Sequence, residues 1–123
     1  MRVNDIDVSK NFKLYEFECH DGNHQVKLDP EVVILLQKLR EKIGKPLKIN
    51  SAYRTPEYNR KISGSPNSQH IEGKAVDISC PKGMTVDQLS RIAKGVGFKG
   101  IGKYPKQNFV HMDVRDNAKE WTL

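Results

Sequence analysis

Two segments of the chain place hydrophobic residues at the spacing of one face of an α-helix. The first predicts a helix between Asp29, a suitable N-cap, and Gly44, a suitable C-terminal cap. Its apolar face consists of Val32, Leu35, Leu36, Leu39 and Ile43. The second predicts a helix that follows a capping box of Thr85 and Gln88. Its apolar face consists of Val86, Leu89, Ile92, Ala93 and Val96.

Alternating hydrophobic and polar residues predict strands at 47–51, 74–79, 99–104 and 108–115, the last two joined as a hairpin. A shorter helix should run from Thr55 to Ile62, and 63–68 has the composition of a loop. Residues 1–28 look irregular, with an apolar patch of Phe12, Leu14, Tyr15 and Phe17. We expect Glu120 and Trp121 in the tail to pack back on the sheet. The pattern predicts an α+β fold, a small antiparallel sheet with flanking helices, in one domain of residues 1–123.

Amino-acid composition limits the classes of binding partner that we expect for this protein. The 123 residues carry a net charge of +6, which favours an anionic partner such as nucleic acid, a membrane surface or bacterial cell wall, or serves solubility alone. The lysines are scattered, which argues against nucleic acid. No apolar run approaches the roughly 18 residues of a membrane span, and residues 1–10 do not resemble a secretory signal. We therefore expect a protein that does not insert into membranes. A monomer is our working expectation for its oligomeric state.

Cysteine and histidine residues near the N-terminus form a first candidate site. Cys19, His20 and His24 surround a turn, but they lack a fourth ligand and fit no common zinc-finger spacing. We expect exposed loop histidines instead. The two cysteines, Cys19 and Cys80, do not make a disulfide framework, and we interpret them as ordinary small buried thiols, with pairing in space or a place near a metal as alternatives.

A second candidate site lies in the last strand, where one face is apolar and the other is not a usual solvated face. His111 and Asp113 project together, because they are two residues apart on a strand. Asp77 also lies opposite the apolar face of its strand, and His70 in the preceding loop can fold over it, with Gly73 allowing a close backbone approach. Two histidines and a carboxylate suit zinc better than calcium or magnesium. The alternative is polar groups exposed on a sheet.

Three segments in order resemble motifs of the D-alanyl-D-alanine carboxypeptidase and hedgehog superfamily of zinc peptidases. Residues 68–77 (S-Q-H-I-E-G-K-A-V-D) resemble its S-x-H-x-x-G-x-A-x-D motif, and 51–56 (S-A-Y-R-T-P) its S-x-Y-R-T-P segment. Residues 100–105 (G-I-G-K-Y-P) and 109–115 (F-V-H-M-D-V-R) resemble its closing hairpin. The resemblance spans residues 51–115 and implies the superfamily's α+β fold.

The resemblance implies that His70, Asp77 and His111 bind one Zn²⁺, and that the substrate is the peptide stem of peptidoglycan. Arg54 would hold a substrate carboxylate or carbonyl and steady an oxyanion, or else tie a loop in place. Weaker candidates for substrate contact are Ser68 and Gln69, which are as well suited to fixing the loop. Tyr104 would line the cleft or simply pack.

The general base is the point where this chain departs from the resemblance. Several branches have an acidic residue three positions before the last zinc histidine, but here Asn108 stands there and cannot take a proton. Asp113 inherits the role of base by resemblance to a branch with H-x-D, or else orients a histidine. In the second case the domain could bind zinc without catalysing.

The resemblance thus implies a zinc-dependent peptidoglycan peptidase, either a D-Ala-D-Ala carboxypeptidase or a murein endopeptidase. The implied mechanism has zinc polarise the scissile carbonyl and activate water. A phage or prophage lysin, made in the cytoplasm and acting on the wall, fits the small size and the basic charge. The alternatives are a zinc-containing module that binds wall peptides without cutting, and a charge-driven nucleic-acid binder, which would show steep salt dependence.

Overall fold

The computed structural model describes residues 2–123 and confirms the predicted α+β fold. It contains three α-helices, one 3-10 helix at Leu14–Phe17 and two β-sheets. The helices are α1 (Pro30–Ile43), α2 (Pro56–Lys61) and α3 (Val86–Val96). The strands are β1 (Asp7–Ser9), β2 (Phe12–Lys13), β3 (Ile49–Ser51), β4 (Ala75–Ser79), β5 (Gly100–Tyr104), β6 (Phe109–Asp113) and β7 (Lys119–Thr122).

The larger sheet has five strands in the order β3-β4-β6-β5-β7. The first three pairings are antiparallel, as predicted. The last pairing differs, because β7 lies parallel to β5 at the edge. The tail therefore packs back on the sheet, as expected, but it does so as a strand. The sequence pattern did not reveal this strand, because Lys119, Glu120 and Thr122 are exposed and only Trp121 is partly buried.

One face of this sheet forms the hydrophobic core with α1 and α3. Val76 and Ile78 of β4 and Val110 and Met112 of β6 are fully buried on this face. Three leucines of the two helices, Leu36, Leu39 and Leu89, are equally inaccessible to solvent. Burying each such side chain stabilises the fold by about 1.5–3 kcal/mol relative to leaving it exposed. The opposite face of the central strands is thus left for polar residues.

The caps predicted for the two amphipathic helices are present. The Asp29 carboxylate accepts a hydrogen bond from the Glu31 backbone N–H at 2.8 Å, and Gly44 ends α1 at φ +73°. Thr85 and Gln88 form the reciprocal capping box of α3. Within residues 2–123, none of these helices has the length and hydropathy of a membrane span.

The N-terminal segment is more regular than predicted. Strands β1 and β2 pair as a small hairpin, which leads into the 3-10 helix. Phe12 and Phe17 leave this segment to join the core, with their rings 6.2 Å apart in an edge-on arrangement. These strands are too short for a hydrophobic alternation to show in the sequence, and for that reason the segment looked irregular.

Candidate metal centre

His70 is held at the end of a loop that folds over the polar face of the sheet. Its Nδ1 lies 2.6 Å from the carbonyl oxygen of Ala52, and its backbone N–H donates to the Ser68 hydroxyl at 3.1 Å. Gly73 adopts φ +70°, and a Cβ there would lie 2.4 Å from the Lys27 carbonyl oxygen. The glycine therefore permits the close backbone approach that the sequence predicts, and it fixes how the loop returns into β4.

Asp77 and His111 face each other across the central strands. They are directly opposite in the register of β4 and β6, and Nδ1 of His111 lies 3.0 Å from Oδ1 of Asp77. Nε2 of His70 approaches the same oxygen at 3.1 Å. All three side chains are buried, and their donor atoms lie within 4.8 Å of one another. Within residues 2–123 this is the only grouping of three such side chains that could hold a metal ion.

His70, Asp77 and His111 together form a donor set, and this donor set fits a divalent metal such as zinc. The carbonyl oxygen of Ala52 can only accept, so Nδ1 of His70 carries the proton there and Nε2 presents a lone pair to Asp77. Nε2 of His111 lies 2.7 Å from a carboxylate oxygen of Asp113, which leaves the Nδ1 lone pair of His111 facing Asp77. Three electron-rich atoms then converge, and they require a cation or added protons between them. Tetrahedral zinc with bonds of 2.0–2.1 Å would separate them by about 3.3 Å.

Shifts in pKa mark the same preference for positive charge. Burial raises the pKa of Asp77, but hydrogen bonds with His111 and His70 outweigh it and hold this pKa well below its usual range. Burial lowers the pKa of His111, but hydrogen bonds with Asp113 and Asp77 raise it above the ordinary value. The carboxylates therefore stabilise positive charge between themselves and the histidines, whether protons or a metal supply it.

Asp113 occupies the side of His111 that faces away from the other donors. It is completely buried, and both of its oxygens accept hydrogen bonds from Arg115. The Arg115 side chain donates at 2.8 Å and 2.6 Å, and its backbone N–H donates at 3.1 Å. Burial raises the pKa of Asp113, but these bonds and the one from His111 hold it well below its usual range. Both oxygens are thus engaged away from the point where the three donors converge.

Glycine makes room for this buried carboxylate. Gly100 lies opposite Asp113 in the register of β5 and β6, and a Cβ on Gly100 would lie 2.0 Å from an Asp113 oxygen. Any side chain at this position would displace the carboxylate from His111. Gly100 is therefore required for the local packing of the site.

Arg54 comes to the edge of the donor set. Its side chain donates to Ser51 Oγ at 3.1 Å, to Asn59 Oδ1 at 3.3 Å and to Asp77 Oδ2 at 3.4 Å. Its backbone N–H donates to the His70 carbonyl at 3.1 Å. The guanidinium is thus tied to the loop and to a donor carboxylate, while its partly exposed side chain retains further donors.

The remaining predicted substrate contacts lie at different places. Ser68 accepts the His70 N–H, which fixes the loop, and Gln69 is half-buried and its carbonyl accepts backbone N–H groups of the same turn. Tyr104 stacks on Phe109 with ring centroids 4.4 Å apart. The hydroxyl of Tyr104 also accepts a hydrogen bond from the Trp121 indole at 3.2 Å.

Asn108, at the alternative position for a base, lies exposed in the β5–β6 loop at φ +58°. The other candidate ligands near the N-terminus do not form a site. His24 contacts the Glu18 carboxylate at 3.2 Å, and Cys19 is buried with its sulfur 4.0 Å from the Thr55 hydroxyl. Both cysteines are free thiols, and Cys19 is buried as expected, whereas Cys80 is only partly buried.

Sequence reasoning missed three parts of the centre: the Arg115 clamp on Asp113, the indole of Trp121 and the two glycines of β5. The alternation Gly100-x-Gly102 was a usable signal, because two glycines on one face of a strand indicate a close approach. Arg115 also shared the strand face of His111 and Asp113. We expected Trp121 to pack back on the sheet, which is confirmed, but nothing in the sequence indicated that its indole would lie beside His111.

Together, the fold and the donor set define an α+β protein with a buried His–Asp–His candidate metal site. The sequence model of the Peptidase M15 family matches residues 10–113, and the chain belongs to this family. This assignment confirms the resemblance of its three motifs to the D-alanyl-D-alanine carboxypeptidase and hedgehog superfamily of zinc peptidases.

Curated relatives extend the comparison. The chain is 28% identical over 112 residues to the peptidoglycan L,D-endopeptidase MepK of Escherichia coli (strain K12), a match covering 85% of this chain and 60% of that protein. It is 28% identical over 100 residues to the probable peptidoglycan L,D-endopeptidase MepK of Haemophilus influenzae, covering 75% and 53% of the two chains. The chain therefore spans about 60% or less of the length of these relatives.

Proposed function

We propose that this chain is a zinc-dependent peptidase that hydrolyses peptide bonds in peptidoglycan. The observation that carries the proposal is the convergence of His70, Asp77 and His111, with the second nitrogen of each histidine already bonded. Membership of the Peptidase M15 family supports the reaction class. The names of the relatives favour an L,D-endopeptidase over a carboxypeptidase.

The three donors would hold the ion and leave a fourth position open, as catalytic zinc sites with three protein ligands do. When bound, zinc would polarise the scissile carbonyl and lower the pKa of a water molecule towards about 7. Asp77 contributes charge at the centre of the set, because one of its oxygens contacts both histidines. The buried position of the donors limits competing water.

Arg54 is the residue that we propose to hold a substrate oxygen. Its fork of donors is already oriented by Ser51 and Asn59, so little side-chain entropy is lost when a further acceptor arrives. Its contact with Asp77 places it beside the donor set. A preorganised cation at this position suits a carbonyl oxygen that becomes negative during hydrolysis.

Asp113 is better placed to orient His111 than to accept a proton from water. Its full burial and its engagement by Arg115 support the orienting role. A carboxylate bonded to the outer nitrogen of a metal-binding histidine fixes the tautomer and increases the basicity of the inner nitrogen. We therefore propose Asp113 as a positioning residue.

Digestion of purified sacculi tests the proposal. The zinc-loaded protein should release fragments whose masses place the cut at an L,D bond, and a chelator should abolish their release. Asp77→Ala should be inactive because it removes the central donor. Asp87→Ala is the matched control, since Asp87 is an exposed carboxylate on α3 paired with Lys103. Intact sacculi after incubation with the zinc-loaded wild-type protein would refute the proposal.

A second function, binding of wall peptides without cleavage, is favoured by one observation. The carboxylate nearest to the donor set apart from Asp77 is Asp113, and both its oxygens are occupied. If this alternative holds, the protein should sediment with sacculi while releasing no fragments. Sedimentation of the wild-type protein with sacculi, measured beside the digest, separates the two functions, whereas zinc content is expected to be the same for both.

A further inference from the structure

A row of residues crosses four adjacent strands at the metal centre. Asp77 on β4 lies opposite His111 on β6, His111 lies opposite Gly102 on β5, and Gly102 lies opposite Trp121 on β7. Gly102 has no side chain, so the indole of Trp121 occupies the space above β5. A Cβ on Gly102 would lie 2.6 Å from the indole ring. The glycine gap thus lets Trp121 reach across a strand towards His111.

Trp121 packs against His111 and against Arg115, the arginine that binds the Asp113 carboxylate. The Trp121 and His111 ring centroids are 5.2 Å apart with a 45° tilt. The guanidinium carbon of Arg115 lies 5.2 Å from the indole centroid, within reach of a cation–π interaction. Because Arg115 binds Asp113 and Asp113 binds His111, the indole covers both ends of this hydrogen-bonded chain.

The orientation of the indole is itself fixed. Its Nε1–H donates to the Tyr104 hydroxyl at 3.2 Å, and Tyr104 is in turn stacked on Phe109. Trp121 is the only tryptophan of the chain, and it lies beyond residue 113, where the match to the family's sequence model ends. The structural support of His111 therefore extends past the segment that defines the family.

We propose that Trp121 is a positioning residue of the metal centre, an inference that rests on the proposed function insofar as His70, Asp77 and His111 bind zinc. The indole restricts rotation of the His111 ring and keeps water from its hydrogen bond with Asp113. A hydrogen bond shielded from water is electrostatically stronger, so the inner nitrogen stays directed at the metal. Removal of the indole then weakens zinc binding even though Trp121 is no ligand.

A purely structural role predicts a different result. If Trp121 only attached β7 to the sheet, its loss would lower the free energy of unfolding and leave the zinc affinity of the folded protein unchanged. Zinc affinity measured on folded protein therefore separates the two roles. It also requires no peptidoglycan substrate, so the outcome does not depend on the bond that is cut.

The experiment compares Trp121→Ala, Trp121→Phe and Leu123→Ala by competition for zinc with a chromophoric chelator. Trp121→Ala should weaken zinc binding about 10–100-fold, the range seen when groups that support metal ligands are removed. Trp121→Phe keeps a ring against His111 and should recover most of the affinity. Leu123→Ala is the matched control, because it truncates an exposed side chain two residues away. Circular dichroism confirms that each variant is folded.

Fluorescence of the single tryptophan gives a second readout. A Co²⁺ ion at the donor set would accept excitation energy from an indole this close, so emission of the wild-type protein should fall and level off at one equivalent. The same titration of Asp77→Ala should show no saturable change. A wild-type emission that does not respond to stoichiometric Co²⁺ would contradict the placement of the indole beside the metal.

The outcomes distinguish the two proposals. If the wild-type protein binds zinc and Trp121→Ala binds it within about twofold as tightly, the positioning role is wrong and the proposed function stands. If the wild-type protein binds no zinc, both proposals fail together. Should Trp121→Ala not fold, Trp121→Leu, which retains apolar bulk but no ring, is judged by the same criterion.

Discussion

Asp113 binds the ring nitrogen of His111 that points away from Asp77. The distance from Oδ2 of Asp113 to Nε2 of His111 is 2.7 Å, while Nδ1 of the same ring lies 3.0 Å from Asp77. One imidazole therefore links a buried carboxylate to the donor set. The arrangement decides which nitrogen of His111 is free to bind a metal.

Asp113→Asn should weaken zinc binding about 10–100-fold. The amide has nearly the same shape, but it lacks the charge that raises the basicity of His111 and that neutralises Arg115. Competition with a chelator of known affinity measures the change, and exposed Asp116→Asn serves as the control. Unchanged zinc affinity with loss of peptidase activity alone would instead support Asp113 as the general base.

Zinc affinity should fall on acidification. Protons compete with the metal for His111. Burial lowers the pKa of His111, but hydrogen bonds with Asp113 and Asp77 outweigh burial and raise this pKa above its ordinary value. Below this pKa the affinity should fall up to about tenfold per pH unit. Chelator competition between about pH 5 and pH 9 measures the slope. An affinity independent of pH would contradict binding at His111.

The contribution of His111 to the stability of the metal-free protein depends on pH in the opposite direction to zinc affinity: it falls as the pH rises. A raised pKa means that the folded state binds a proton more tightly, so the contribution of His111 is fully present below its unfolded pKa of about 6.5. The contribution is lost as the pH rises through the folded pKa. Thermal unfolding in the presence of chelator should show this loss, and His111→Gln should lessen it.

Gly100→Ala and Gly95→Ala should change stability in opposite directions. The new methyl group at Gly100 meets a carboxylate that His111 and Arg115 hold in place, which should cost about 1–3 kcal/mol. Gly95 lies exposed on α3, and no atom lies within 4 Å of the position that a Cβ would take there, so alanine should stabilise by about 0.5–1 kcal/mol. Urea denaturation of both variants measures the difference. Equal stabilities would refute the packing described at Gly100.

Arg54→Lys should reduce kcat/KM by at least about tenfold while the protein remains folded. Lysine keeps the charge but cannot make the separate hydrogen bonds to Ser51 and Asn59 that orient the guanidinium. Loss of these bonds should also lower the free energy of unfolding by about 1–3 kcal/mol. Exposed Arg60→Lys is the control on the neighbouring helix. Wild-type kinetics in Arg54→Lys would leave Arg54 with a structural role alone.

Much of the centre could be predicted because the relevant signals are local. The spacing of Asp77 against Val76 and Ile78 shows which strand face it occupies, and His111 follows the same rule against Val110 and Met112. The caps of α1 and α3 are equally local, since a few consecutive residues specify each helix end. Strand faces and helix ends were therefore readable before any tertiary contact was known.

The parts that were not predicted depend on tertiary contacts. The parallel pairing of β7 with β5 brings Trp121 beside His111, although nothing near Trp121 in the sequence indicates a strand partner. The full burial of Asp113 depends on the absence of a side chain at Gly100 across the strand. Whether Asp113 faces water or protein could not be decided from its strand position alone.

The glycines of β5 also affect the register in which this strand pairs within the sheet. Gly100 and Gly102 present no side chain on the polar face of the sheet, and Asp113 and Trp121 fill the space above them. A shift of β5 by one residue would turn Ile101 and Lys103 into this filled space. Misaligned pairing is thereby penalised by the residues that build the centre. The geometry of the candidate metal site and the strand alignment thus depend on the same side chains, and sequence changes that relax one will relax the other.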